Sequence, residues 1–186
     1  ELYYYLDNLP THYYAQMLYK YPQQAFPYQK LRDENAKLGK LDLEYEILDT
    51  GIFDKDRYFD VHITYAKFSK KDIAIRIDIT NRYTKPAPVT LLPTLWYFNR
   101  QDSKKIKPQI KWLSDTSVKA SHSRLGNYYL YFQKPKKLLF TDNRTNTEKY
   151  ESKPNRDIFV KDAFEDAVIN GLNTTELEKR RQGTKC

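Results

Sequence analysis

A run of alternating side chains restricts this chain to a β-rich fold. Isoleucine occupies every second position of 73–79, and the residues between are small, polar or charged. Strict period two with β-branched residues predicts a half-buried strand. The segment 59–65 alternates in the same way, and only the short polar link 69–72 separates the two runs. The pair therefore predicts an antiparallel hairpin, with Ile75 and Ile77 in the core.

Other patterns predict short elements around this hairpin. Apolar or alternating runs predict further strands at 3–6, 89–99, 117–122, 128–132 and 138–140. Thr11 is the predicted cap of a helix running to about Lys20, because the apolar residues that follow it approach helical spacing. Further helices are expected at 31–38 and from Thr174 or Thr175, and 160–170 is expected to be a short helix or an irregular lid. The segment 182–186 is expected to lack a finishing element.

These elements predict a mainly β chain. We expect an antiparallel β-sandwich, similar to a supersandwich, with short helical attachments. Three segments are expected: an aromatic lead-in with one or two short helices at 1–44, the β-sandwich core at 45–141, and a loop with short helices at 142–186.

Length and cysteine content bound the compartment. The chain has 186 residues, and its one cysteine, Cys186, excludes an intrachain disulfide and a zinc site built from thiols. No run approaches the roughly 20 apolar residues of a membrane span, and the first residues do not resemble a signal peptide. A cytoplasmic location without membrane contact is expected.

Charge and aromatic content leave more than one kind of partner open. The net charge of +8 is spread along the chain among 24 acidic residues, which favours a solvated basic surface over a nucleic-acid site. Seventeen tyrosines accompany only five glycines. Tyrosine offers a large rigid surface with a polar tip, which suits sugar platforms, nucleobase stacking or ordinary sheet packing.

No catalytic constellation is recognisable. His12, His62 and His122 are far apart, and none belongs to a metal-binding motif. A nucleophile elbow and a glycine-rich phosphate loop are both missing. We therefore predict no catalytic residue, no metal and no cofactor within this chain.

The best candidate binding surfaces combine aromatic rings with hydroxyl and amide neighbours. Two segments have this character, the irregular proline-containing stretch 11–28 and the segment 96–99. Trp96 is equally compatible with a place in the core. The residues predicted to form the rim of a sugar site are Thr11, His12, Tyr13, Tyr19, Tyr21, Trp96 and Asn99.

Several motifs together resemble one enzyme family. They occur in the same order from end to end of the chain, at 3–7, 10–12, 18–23, 26–28, 45–54, 56–61, 92–96, 143–148, 160–162 and 183–185. This set resembles prokaryotic glucosidase-like proteins of glycoside hydrolase family 63, the class of processing α-glucosidase and mannosylglycerate hydrolase. Where relatives have glycine after Lys-Asp, this chain has Ala163.

The resemblance implies a fold, and it implies that catalysis takes place in a different domain from this one. Family members place a β-sandwich domain ahead of a large α/α-toroid catalytic domain, and this chain resembles most of the β-rich region. The catalytic acid and base of the family lie in the toroid, so no residue here inherits them. The parent protein is then expected to be an inverting glucosidase, with the toroid and a glucoside or oligosaccharide as partners of this non-catalytic domain.

Two readings from other classes remain open. One is a basic, aromatic-rich module that binds nucleic acid, and the other is a stand-alone lectin-like domain. Self-association is also expected, because the terminal segments 1–28 and 160–186 with their flanks are rich in large aromatics: Tyr3, Tyr5, Tyr13, Tyr19, Tyr21, Phe26, Phe159 and Phe164.

Overall fold

The chain is divided into two compact units. The structure, a computed structural model, describes residues 2–97, 108–155, 157, 159–171 and 174–186. The first unit is Glu1–Thr90 and the second is Leu91–Cys186. Their boundary falls inside the predicted segment 45–141.

The first unit is built on a four-stranded antiparallel sheet. The strands follow in the order β1-β2-β3-β4, so each neighbour in sequence is also a neighbour in the sheet. They are β1 (Leu2–Asn8), β2 (Tyr14–Pro22), β3 (Tyr58–Ser69) and β4 (Asp72–Asn81). A helix, α1 (Tyr28–Asn35), and two short 3₁₀ turns lie between β2 and β3.

The hairpin predicted at 59–79 is confirmed, and its register fixes the two faces of the sheet. Ile63 pairs with Ile77, and Val61 pairs with Ile79. Because paired residues of antiparallel strands share a face, the alternating isoleucines lie beside the alternating apolar residues of β3. The prediction that Ile75 is in the core is wrong, since half of its surface is accessible.

A buried carboxylate anchors the opposite face of this sheet. Lys20 Nζ donates to Asp60 Oδ1 at 2.9 Å, and Arg82 Nε donates to Asp60 Oδ2 at 2.5 Å. Burial alone would raise the pKa of Asp60, but the hydrogen bonds from Lys20 and Arg82 outweigh it and hold the pKa below its ordinary value. Asp60 thereby ties β2, β3 and the end of β4 together.

The second unit has its own antiparallel sheet, in the order β7-β6-β5-β8. Its strands are β5 (Gln109–Ser114), β6 (Ser117–His122), β7 (Gly126–Tyr131) and β8 (Gln182–Gly183). Three short helices accompany the sheet: α2 (Thr147–Glu151), α3 (Ala163–Ile169) and α4 (Thr174–Lys179).

Two apolar clusters form the core of the second unit. In one, Ile110, Val118 and Ala120 of the sheet pack with Phe140 and Cys186. The other comprises Leu139, Phe159, Ala167 and Leu177. The consecutive residues Leu139 and Phe140 therefore belong to different clusters.

The predicted fold class, mainly β with antiparallel sheets and short helices, is confirmed. Several element predictions are wrong. The helix expected after Thr11 is the strand β2, because its backbone pairs on both sides with β1 and β3. The strand expected at 89–99 is absent from its described part, 89–97, where only Trp96 forms an isolated bridge with Lys185. The segment 138–140 is irregular, and 182–186 pairs through β8 rather than ending unpaired.

No helix in the described ranges is long and apolar enough to cross a membrane.

Candidate functional site

Four segments that are far apart in sequence meet in the second unit. We call them the motif cluster: 95–97, 141–146, 160–162 and 183–186. The backbone of Thr141 donates to Lys185 O at 2.9 Å, and its carbonyl accepts from Thr184 N and Lys185 N, each at 3.0 Å. On the other side, Leu95 and Cys186 exchange two backbone bonds of 2.8 and 2.9 Å. The segment 183–186 is therefore held between two others.

A glycine makes this close approach feasible. A Cβ added at Gly183 would lie 2.3 Å from the carbonyl oxygen of Thr141, far inside van der Waals contact. Any larger residue would push segment 183–186 away from Thr141. This is the physical requirement for glycine at 183.

Side chains complete the connections between the segments. Asn143 N donates to Thr184 Oγ1 at 2.8 Å, and Asn143 Nδ2 donates to Tyr97 O at 3.0 Å. Asn146 Nδ2 donates to Asp162 Oδ2 at 3.1 Å. The backbone at Lys161 donates to Arg144 O at 3.1 Å, which fixes 160–162 beside 141–146.

Alternation along 95–97 separates a core side from an outer side. Leu95 and Tyr97 pack against the apolar cluster of Phe140, whereas Trp96 between them is 56% exposed. Trp96 pairs with Lys185 in an antiparallel bridge. Since paired residues share a face, the indole and the lysine side chain emerge on the same side of the motif cluster. The alternative that Trp96 lies in the core rather than at a binding surface is thus excluded.

Lys185 is held in a partly buried position. Its Nζ donates to Lys161 O at 3.2 Å and lies 4.9 Å from the centre of the Phe164 ring. Burial lowers the pKa of Lys185, and the neighbouring Lys161 lowers it further, while Asp162 acts in the opposite direction. The ammonium is therefore fixed by a carbonyl and an aromatic face.

Asp162 has spare hydrogen-bonding capacity. Its Oδ2 accepts from Asn146, but its Oδ1 has no partner among the described residues and is buried at the atomic level. A carboxylate oxygen without a partner is costly in a protein interior. Asp162 and Lys185 are two of the charged groups of the cluster, which also contains Lys161 and the Asp142–Arg144 pair.

The predicted rim residues fall into separate groups. Thr11 and His12 form the exposed turn between β1 and β2, where His12 has the left-handed φ of 54°. Tyr13 directly precedes β2. Tyr19 and Tyr21 lie at the far end of β2, with their ring centroids 6.4 Å apart. Six residues of strand separate Tyr13 from Tyr19 by roughly 20 Å.

The other two predicted residues are in the second unit. Trp96 belongs to the motif cluster, and Asn99 lies outside the described residues. The structure therefore places Tyr19 close to Tyr21, and it places Thr11 and His12 next to Tyr13 in the chain. It does not describe one rim that contains all seven predicted residues.

A second aromatic feature of this unit lies beside Trp112 of β5. A cleft of about 210 Å³ is lined by Trp112, Asp115, Lys134, Pro135, Lys136, Lys137, Leu138, Glu178 and Arg181. Lys134 pairs with Asp115 at 2.8 Å, and Lys137 pairs with Glu178. The Arg181 guanidinium lies 5.7 Å from the centre of the Trp112 ring. We call this the Trp112 cleft.

The described part of the chain holds no group of three or more His, Cys, Asp and Glu residues that could bind a metal ion.

Asn146, Asp162 and Lys185 were not among the predicted site residues. Each lies in a segment that contributes to the family resemblance, at 143–148, 160–162 and 183–185. The sequence could have indicated these three residues only through the family resemblance that their segments share. No spacing rule links positions that are tens of residues apart. The strand pairing of Lys185 with Trp96 and Thr141, together with the hydrogen bonds from Asn146 to Asp162 and from Lys185 to Lys161 O, brings the segments to one place.

Comparison with known proteins gives one informative similarity. No protein-family model and no solved structure matches the chain. The chain is 31% identical over 225 residues to a Saccharomyces cerevisiae protein named "Uncharacterized protein YMR196W". The alignment takes in the whole chain and 20% of the yeast protein, so the chain spans about a fifth of the length of the relative that it matches.

Proposed function

We propose that this chain is a non-catalytic β-rich region of an inverting, α-glucosidase-type glycoside hydrolase of family 63. It packs on an α/α-toroid catalytic domain and helps to shape the sugar site, in a cytoplasmic enzyme. The observation that carries the proposal is the motif cluster. Segments that contribute to the family resemblance and are separated by up to about ninety residues meet there and present Trp96 and Lys185 on one side.

The chemistry of the cluster suits a neutral polyol. An exposed indole offers an apolar face for the C–H side of a sugar ring. Lys185, held by Lys161 O, offers a fixed donor close by, and the Asp162–Asn146 hydrogen bond stabilises the adjoining segments. Sugar sites typically combine apolar walls with a few fixed polar groups, which set orientation.

The proposed role leaves proton transfer to the other domain. An inverting mechanism requires an acid and a base on opposite sides of the glycosidic bond, with room for a water molecule. A neighbouring domain improves such a reaction by positioning the substrate. The enzyme is then the longer protein, and this chain by itself hydrolyses no glucoside.

The experiment compares two tryptophan variants in the full-length gene product. The assay follows hydrolysis of p-nitrophenyl α-glucoside and the anomer released, by proton NMR. We expect β-glucose as the first product and a raised KM for Trp96→Ala. The matched control, Trp112→Ala, is expected to leave KM unchanged. Failure to cleave α-glucosides, or release of the α-anomer, would overturn the proposal.

The nucleic-acid alternative has one observation in its favour, the Trp112 cleft. Lysines and an arginine surround an accessible indole there. Proteins use this combination of basic and aromatic side chains to bind single-stranded nucleic acids. The chain has only two tryptophans, so Trp112→Phe leaves Trp96 as the reporter, and Trp96→Phe leaves Trp112. Quenching of Trp112 by an oligonucleotide, lost steeply with salt, would favour this alternative.

The same two variants test the lectin alternative. A sugar titration of the chain alone that changes Trp96 emission, with no dependence on salt, indicates a stand-alone carbohydrate-binding domain. The proposed accessory role predicts a much weaker response from the chain alone than from the full-length gene product, because the toroid supplies most of the sugar contacts.

A further inference from the structure

One face of the sheet in the first unit is apolar across all four strands. The pairs Tyr3–Tyr19, Tyr19–Val61 and Val61–Ile79 run across the sheet on this side. We call it the apolar face. Its apolar members are Tyr3, Tyr5, Ala15, Met17, Tyr19, Tyr21, Phe59, Val61, Ile63, Tyr65, Ile73, Ile75, Ile77 and Ile79, and the register also places Lys67 and Asn81 on it. Tyr13, just before β2, continues the alternation, and its carbonyl accepts from Lys67 N.

Much of the apolar face is accessible to solvent. Phe59 and Val61 are buried at one end, but Tyr5 is 80% exposed. The side chains with about half of their surface accessible are Tyr3, Tyr13, Tyr21, Tyr65, Ile73 and Ile75. A whole aromatic side chain carries about 150–250 Å², so these seven together present roughly 700 Å². A patch of this size exceeds what a monomer usually leaves open.

Charge is almost confined to the other face. Lys20, Asp60 and Arg82 form their ion-pair cluster there, and Arg76 pairs with Asp78 at 2.8 Å. On the apolar face the cation is Lys67, whose ammonium lies 5.7 Å from the centre of the Tyr13 ring. Two copies of this face would therefore bring few like charges into direct contact, and the net charge of +8 of the whole chain opposes association only at longer range.

We infer that the apolar face docks against the same face of a second copy of this chain. A patch that is apolar over most of its area can be complementary to itself, which a two-fold interface requires. Two sheets stacked face to face pack about 10 Å apart with strands about 30° from parallel. Roughly 700 Å² from each copy gives about 1,400 Å² in total, within the range of stable specific interfaces.

The inference concerns the first unit and does not depend on the proposed function, which concerns the motif cluster of the second. It also corrects part of the sequence-based expectation. At the carboxyl-terminal end, Phe159 is buried in an apolar cluster and Phe164 packs against it, so these two aromatics are not part of an open surface. The amino-terminal tyrosines do remain accessible.

Sedimentation equilibrium of the chain over a wide concentration range tests the inference. We expect a monomer–dimer equilibrium, and Ile75→Lys should weaken it at least tenfold, because docking would bury an unpaired ammonium. Tyr4 is a matched control, since it is accessible and lies on the opposite face beside Leu18. Tyr4→Lys should leave the dimerisation constant unchanged.

Both substituted side chains are largely accessible, so both variants should fold, which far-UV circular dichroism verifies. A chain that stays monomeric at every concentration would overturn the inference. Assembly that continues past the dimer would do the same, as would a dimer weakened by Tyr4→Lys rather than by Ile75→Lys.

Discussion

The second unit covers one face of its sheet with an apolar cluster, whereas the first unit leaves much of one sheet face accessible, and both units also expose other large apolar side chains. In the second unit, segments outside the sheet, including Leu95, Tyr97 and Phe140, return to cover its apolar face. In the first unit, burial on the sheet is concentrated at Phe59 and Val61. Alternation decides which side chains share a face, but covering that face requires a further layer.

The largest effect is expected in the core of the second unit. Phe140 is fully buried, so Phe140→Ala should lower the free energy of unfolding by about 3–5 kcal/mol. Ile75→Ala, on the open face of the first unit, should cost less than about 1 kcal/mol. Chemical denaturation of both variants checks the difference. Equal losses would show that the apolar face is covered within the chain.

Removing the buried carboxylate of Asp60 in the first unit should lower the free energy of unfolding by a smaller but substantial amount. Asp60→Asn removes the carboxylate that accepts from Lys20 and Arg82, and we expect a loss of about 2–3 kcal/mol. The pKa of Asp60 is lower in the folded chain than in the unfolded chain. Its contribution is therefore complete above the unfolded pKa near 4 and is lost as pH falls through the folded pKa.

Thermal unfolding of the wild type and Asp60→Asn between pH 7 and pH 2 measures this contribution. The gap between the two proteins should close as the solution becomes acidic. A gap that stays constant to the lowest pH would show that Asp60 acts through packing rather than through charge.

The close approach within the motif cluster should be sensitive to one added methyl group. Gly183→Ala places a Cβ against the backbone carbonyl of Thr141, so we expect a loss of about 1–3 kcal/mol. Gly39→Ala is the control, since its Cβ would meet only the end of the Asp42 side chain at 3.3 Å. Differential scanning calorimetry should show a lower Tm for the first variant alone.

The smallest change concerns the reactivity of a single thiol. Burial raises the pKa of Cys186 to about 11, although a backbone hydrogen bond at Leu95 opposes the shift. Since the thiolate is the reactive form, a disulfide reagent at pH 8 should label Cys186 slowly in the folded chain and quickly in denaturant. Rapid labelling of the folded chain would place the thiol at an accessible surface.

Local patterns in the sequence predicted the β3–β4 hairpin, whose strands are close in sequence, but not the equally local β1–β2 hairpin. The hairpin of β3 and β4 was predicted because the polar link 69–72 joins two alternating runs. The strand β2 was mistaken for a helix because Tyr14, Met17, Leu18 and Tyr21 also approach helical spacing. Its partners in β3 lie about forty to fifty residues further along the chain, and no local pattern reveals them.

The candidate site shows the same limit. Trp96 was predicted from its type and its polar neighbours, and the structure places it on the outer side of the motif cluster. Lys185 and Asp162 were missed as site residues because their hydrogen bonds, from Lys185 to Lys161 O and from Asn146 to Asp162, join segments that are well separated in sequence. The strand β8 was missed for the same reason, since its partner β5 begins at Gln109.

The difference between the two units is tested most directly by hydroxyl-radical footprinting of the whole chain at several protein concentrations. At low concentration, Tyr5 and Tyr65 of the apolar face should be strongly labelled, whereas Phe140 and Phe159 of the second unit should be protected throughout. As concentration rises, the two tyrosines should become protected while Tyr4 on the opposite face stays labelled. Protection of Tyr5 and Tyr65 at every concentration, or labelling that never changes, would contradict the account.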